Sequence, residues 1–166
     1  MTEELHGAIS LALDTINLNK QALVFADTKK SAEKAAEDIA QTLKKRGGTD
    51  PALLDIADKI GQALSSPTKQ CQRLAFCVRY GIGFHHSGLV AAQRELIESA
   101  YRAGLVKVIC ATPTLAYGVD TPAFRVIIKS LKRYGSAWGM DWIPVLDYLQ
   151  LAGRAGRPQF HDDFGE

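Results

Sequence analysis

The stretch VKVICAT, residues 106–112, decides the fold, because it is the most β-branched apolar run in the chain and is bounded by Gly104 and Pro113. Branched side chains pack well on a pleated surface, so this run reads as a strand. Working outward, residues 91–102 form a helix that Gly104 closes, and residues 82–86 (IGFHH) form a second strand. QALVFA, residues 21–26, is a short buried strand, and residues 125–131 are another. Helices fill the gaps. Leu5, Ile9, Leu13 and Ile16 recur at helical spacing. Asp27 and Thr28 can cap a helix with the stripe Ala32, Ala36, Ile39, Ala40 and Leu43, which Gly47 and Gly48 end. Asp50–Pro51 and Ser66–Pro67 each open a further helix, ending near Leu64 and Tyr80, with Gly81 suited to a left-handed stop. Residues 144–152 form the last helix, anchored by Val145, Leu149 and Ala152. Strands alternating with helices predict an α/β fold, a mainly parallel sheet with helices on both faces.

Composition bounds the rest. The 166 residues, 46% hydrophobic, suit a single domain spanning residues 1–166 with a substantial core. Lys and Arg number 20 against 18 Asp and Glu, a net charge of +2. A dedicated nucleic-acid binder usually carries a stronger basic excess. Placement is more informative: acidic residues crowd positions 33–58, and basic ones dominate 102–133 and 154–157. No apolar run approaches a bilayer span, and residues 1–6 are polar and acidic, unlike a secretion signal. We therefore expect no membrane association and an intracellular, cytoplasmic setting (nucleoid-associated if archaeal). Cys71, Cys77 and Cys110 form no C-x-x-C pair and read as buried free thiols, so no metal site is predicted. The sequence reaches Gly165–Glu166 after a polar loop without a closing strand, and the expectation is a fragment of a larger protein.

Chemistry concentrates in QLAGRAGRP, residues 150–158. On a continued helix at about 100° per residue, Gln150, Arg154 and Arg157 fall within about 60° of one another. Guanidinium groups stay charged and bind phosphate oxygens bidentately, so such a fork suits a phosphate. Gly153 and Gly156 would each cost a purely structural helix about 1 kcal/mol. They make sense where another backbone or a ligand must come close.

With its neighbours, this segment resembles motif VI of superfamily 2 DExH helicases, in the Q-x-x-GRAGRP form of the Ski-like branch. That branch includes archaeal DNA repair helicases that unwind 3′ to 5′. ATPTLAYGVDTPA, residues 111–123, resembles motif V. FHHSGL, residues 84–89, with Gln93 and Arg94 after it, resembles motif IVa, and LVFADTK, residues 23–29, resembles motif IV. The four occur in family order from residue 21 to 158.

The resemblance implies the second RecA-like domain of such a helicase, a three-layer α/β domain. Arg154, Arg157 and Gln150 would be the catalytic contacts that reach the terminal phosphate of ATP from across an interdomain cleft. Gly118 and Asp120 would approach the nucleotide, although the branch more often carries asparagine at the Asp120 position. Thr28, Lys29, Gly88, Arg94, Thr112 and Thr114 would hold the nucleic-acid backbone. On local sequence alone, Thr28–Lys29 also reads as a plain capped helix start, and Thr112–Thr114 as an ordinary strand-to-helix turn. His85 and His86 are assigned no chemical role.

Residues 129–141 (KSLKRYGSAWGMD) mix basic residues, glycines and aromatics. One reading is a strand-separating hairpin with Tyr134 and Trp138 near its tip; the other is a surface loop whose Trp138 and Trp142 enter the core. No G-x-x-x-x-G-K-[S/T] loop and no Mg²⁺-holding acidic pair occurs in the chain. ATP and Mg²⁺ would therefore be bound mainly by a preceding RecA-like domain, with single-stranded and forked DNA as the other partners. The equivalent domain of an RNA helicase stays open, because phosphate contacts do not sense the 2′-hydroxyl. A non-catalytic nucleic-acid-binding module would have no use for the arginine pair. A Rossmann-type enzyme would need a glycine-rich turn where Ala26-Asp27-Thr28-Lys29 stand.

Overall fold

Chain order in the computed structural model, which describes residues 3–115, 121–135, 139–156 and 165–166, alternates as expected. It runs α1 (Glu3–Asn17), β1 (Ala22–Phe25), α2 (Lys29–Arg46), α3 (Pro51–Gly61), α4 (Lys69–Val78), β2 (Ile82–His85) and α5 (Ala91–Arg102). There follow β3 (Val108–Ala111), β4 (Arg125–Ile128), β5 (Lys132–Gly135), β6 (Gly139–Trp142) and α6 (Val145–Ala152).

Strands β1 to β4 form one parallel sheet in the order β2-β3-β1-β4. Ala22 pairs with Val108 on one side and with Arg125 on the other, and Ile82 also meets Val108. Strands β1, β2 and β3 are buried along their whole length, as a sheet covered on both faces demands. The connection from β1 to β2 passes over the position of β3, and the connection from β2 to β3 steps back. Right-handed crossovers then place the helices of the two connections on opposite faces. Helix α2 packs on β2 and β3, α1 on β1 and β4, α5 on β2, and α6 on β4. Among the described residues, no helix is long and apolar enough to cross a membrane.

Local chemistry explains most element ends. Thr28 caps α2 by accepting from the Ser31 amide at 3.1 Å, and Lys44, Lys45 and Arg46 complement the negative end of its dipole. Asp50 caps α3 and Pro51 takes its first position. The expected start of α4 at Ser66–Pro67 is wrong. Thr68 caps it instead, accepting from the Cys71 amide, so the helix opens later. Helix α3 likewise stops at Gly61 rather than near Leu64.

Two readings of the C-terminal region also need correction. Helix α6 ends at Ala152 and does not carry Arg154. Residues 154–156 run beside Ala123 as a parallel bridge, Ala123 N–H donating to the Arg154 carbonyl at 3.0 Å and Gly156 N–H to the Ala123 carbonyl at 2.9 Å. Gln150 and Arg154 therefore do not share a helical face. Gly156 sits at φ 62, a conformation that strains any residue with a Cβ. The anchoring stripe is also reversed: Val145 is 74% and Leu149 57% exposed, whereas Leu151 is buried. Glu166 lies beside β4, donating to the Phe124 carbonyl and accepting from the Val126 amide.

Strands β5 and β6 pair antiparallel, with Lys132 opposite Trp142 and Gly135 opposite Gly139. Trp142 is 69% exposed, with the Lys132 ammonium 4.8 Å from its ring centroid, so it does not enter the core.

Arg125 is a buried cation that joins distant parts of the fold. Its guanidinium donates to the Leu11 carbonyl at 3.1 Å, Asp14 at 2.7 Å, Thr15 at 3.0 Å and Glu166 at 2.8 Å. Arg125→Ala should lower the unfolding free energy by about 2 kcal/mol, read from urea denaturation; an unchanged midpoint would refute this account of α1 docking.

Candidate functional site

At the carboxyl ends of β1, β3 and β4 lies a cleft of about 490 Å³. Ligands of open parallel sheets bind outside these strand ends, because the faces are covered and the polar loops gather there. Phe25, Ile128, Ile143 and Leu151 give the cleft an apolar floor. Thr28, Lys29, Ser87, Thr112, Thr114 and Lys132 supply hydroxyl and ammonium groups, and Asp27 and Asp147 add carboxylates.

Four of the residues expected to hold a nucleic-acid backbone thus meet in one place. Thr28 opens α2, and Lys29 is exposed at its first position. The capping bond uses the hydroxyl oxygen of Thr28 and leaves its hydrogen to point elsewhere. The hydroxyls of Thr112 and Thr114 lie 2.9 Å apart, so one donates to the other and one hydrogen is not used between them. The Thr112 amide donates to the His85 carbonyl at 3.3 Å, tying β3 to the turn after β2.

Gly88 stands next to this group; a Cβ there would come within 3.7 Å of Lys29 Cδ. The same Cβ would lie 3.0 Å from His86 Cε1 and Nδ1, a tight contact with the buried ring beside it. Arg94 sits on α5 on the side of His85 and does not line the cleft. Gln150 is exposed on α6 and Arg154 is half-buried just beyond it; neither lines the cleft. Tyr134 lies in β5. Gly118, Asp120, Trp138 and Arg157 lie outside the described residues.

Beneath Gly88 is a polar network that sequence reading passed over. Buried His86 places Nε2 3.0 Å from Glu33 Oε1 and stacks its ring on Phe84. Glu33 also accepts from Gln70 Nε2 at 2.7 Å and pairs with Arg73, which bonds Glu37 in turn. Burial pushes the Glu33 carboxyl up, but the bonds from Gln70 and His86 and the Arg73 guanidinium outweigh it and hold its pKa below the ordinary value. The available signal was Glu33 itself, a carboxylate three and seven positions before buried Ala36 and Ala40 on one helix face. His85 bonds Glu98 at 2.8 Å; burial drives its pKa below the ordinary imidazole value despite that carboxylate.

The three cysteines are free and buried, and burial raises the Cys110 thiol to about 12. Among the described residues, no three His, Cys, Asp or Glu side chains converge as metal ligands.

Residues 62–159 match the family described as helicase conserved C-terminal domain. The chain is 44% identical over 159 residues to the ATP-dependent DNA helicase Hel308 of Methanocella arvoryzae, covering 95% of this chain and 21% of that protein. Proteins of the same name from Pyrococcus horikoshii and Pyrococcus abyssi are 38% and 43% identical, over 99% and 94% of this chain and 22% and 21% of their own lengths. The chain therefore spans about a fifth of the length of these curated relatives.

Both perturbed groups act in the same direction on stability. Folding lowers the pKa of His85 and of Glu33, so the folded state resists protonation at each. Stability is full above the unfolded pKa and falls as pH drops through it. The calorimetric midpoint should decline as pH passes below about 6.5, and again below about 4.5. His85→Gln should remove the first decline, and a midpoint that rises on acidification would contradict both assignments.

Proposed function

We propose that this chain, which belongs to the helicase conserved C-terminal domain family, is the second RecA-like motor domain of an ATP-dependent DNA helicase. One observation carries the reading. The backbone of residues 154–156 is hydrogen-bonded to Ala123, so the arginine-bearing segment is fixed against the end of the segment that begins with Thr112. An always-charged guanidinium on a segment held by backbone bonds fits a phosphate supplied by a neighbouring domain. The cleft lined by Thr28, Lys29, Thr112 and Thr114 fits the phosphates of a nucleic-acid strand. Hydroxyl and ammonium contacts to phosphate ignore base identity, as a translocating motor requires.

In the longer enzyme, Arg154, Arg157 and Gln150 stabilise charge on the terminal phosphate of ATP, while Gly118 and Asp120 approach its sugar. A preceding RecA-like domain supplies the phosphate cradle and the Mg²⁺ ligands that this chain lacks, and ATP with Mg²⁺ provides the driving reaction there. Thr28, Lys29, Gly88, Arg94, Thr112 and Thr114 hold the tracked strand. The segment of residues 129–141, which contains β5 and most of β6, separates strands at a fork, with Tyr134 and Trp138 stacking on unpaired bases. The setting is intracellular.

By itself the chain should show no ATP turnover above background. In the complete helicase, Arg157→Ala or Arg154→Ala should lower DNA-stimulated turnover about a thousandfold, with far less change in DNA affinity. Turnover that survives both substitutions would end the motor assignment. Deleting residues 133–139 should abolish unwinding but spare DNA-stimulated ATPase, and unwinding at the normal rate would remove the segment from the mechanism. Binding compared on oligothymidylate and oligouridylate separates a DNA motor from an RNA motor.

A further inference from the structure

We infer that His86 is a positioning residue, whose ring sets the turn that presents Ser87 and Gly88 to the nucleic-acid strand. The inference rests on the reading of the cleft as the strand's binding surface, since Ser87 lines that cleft.

The two bonds of the ring have opposite senses. The Gly88 amide can only donate, and it points at Nδ1 from 3.0 Å. The Glu33 carboxylate can only accept while ionised, and it faces Nε2 at 3.0 Å. Only a neutral ring with its hydrogen on Nε2 satisfies both partners. The described surroundings hold the ring in this orientation. Its side chain is fully buried, it stacks on Phe84 with centroids 5.7 Å apart, and Gln70 and Arg73 hold Glu33 in place from α4.

The same residue governs the turn twice. Its side chain accepts from the amide two residues on, and its carbonyl accepts from the Leu89 amide three residues on, at 3.1 Å. A displaced ring frees the Gly88 amide, and the turn that brings Ser87 to the cleft loses that bond. The ring also sits close to Gly88, where a Cβ would lie 3.0 Å from its Cε1 and Nδ1 and press on it.

Two variants separate this role from mere filling of the core. His86→Asn keeps an acceptor near the position of Nδ1 and loses the reach to Glu33; His86→Gln does the reverse. Both remove the stacking on Phe84. In anisotropy titrations with oligothymidylate, the Asn variant should bind within about twofold of the unmutated chain, and the Gln variant about tenfold more weakly. On the unmutated chain without DNA, nuclear magnetic resonance should show Nδ1 unprotonated and the Gly88 amide protected from hydrogen exchange. Protection should persist in the Asn variant and vanish in the Gln variant. Equal affinities of the two variants, a hydrogen on Nδ1, or a freely exchanging Gly88 amide in the unmutated chain overturns the inference, and the resonance readout holds even where a variant does not fold. Failure of the unmutated chain to bind oligothymidylate sinks the reading of the cleft and this inference with it. Binding retained with both variants alike sinks the inference alone.

Discussion

Central strands with no exposed face impose the constraint from which the rest of the molecule follows. Strands β1 and β3 are buried end to end, so their backbone groups pair within the sheet and their side chains meet only other side chains. Polar chemistry is excluded from both faces and displaced to the strand ends. The loops after Phe25, His85 and Ala111 all leave the sheet at the same edge, because the strands are parallel. Thr28, Ser87 and Thr112 are therefore neighbours in space while being far apart in sequence.

The same edge organises the arginine-bearing segment, by a different device. A helix running on through Arg154 would have carried its side chains around a cylinder. Ending at Ala152 and turning into a bridge with Ala123, the backbone takes its direction from the sheet. The two glycines are then explained without reference to a ligand. Gly153 closes the helix, where a Cβ would lie 2.9 Å from the Leu149 carbonyl, and Gly156 adopts a left-handed conformation at the bridge. The reversal of the α6 stripe belongs to the same picture. Leu151 and half-buried Asp147 face the cleft, and Trp142, Val145, Leu146 and Leu149 present an apolar surface outward.

Local signals carried the element order well. The β-branched run at residues 106–112, the caps at Thr28 and Asp50, and the glycine at position 81 each act through neighbours in the chain, and each reading held in type if not in length. For residues 129–141 a hairpin is one of two open readings of the sequence, since basic and aromatic composition does not distinguish a paired ribbon from a loop; β5 and β6 are paired. What the sequence hid depends on partners far along the chain. Glu33 and His86 are 53 residues apart, and only the packing of α2 over β2 brings them together. Arg125 looked like one residue of a strand, yet its partners lie 110 and 41 positions away. The α6 stripe misled for a related reason: helical periodicity finds an apolar face without saying whether the domain itself covers it.

Arg125 has a mechanical consequence. One guanidinium fastens residues 11–15 of α1 and Glu166 to the same strand, β4, from opposite directions along the sequence. Tension applied at either place reaches β4 first, and through its backbone ladder with β1 it spreads into the middle of the sheet.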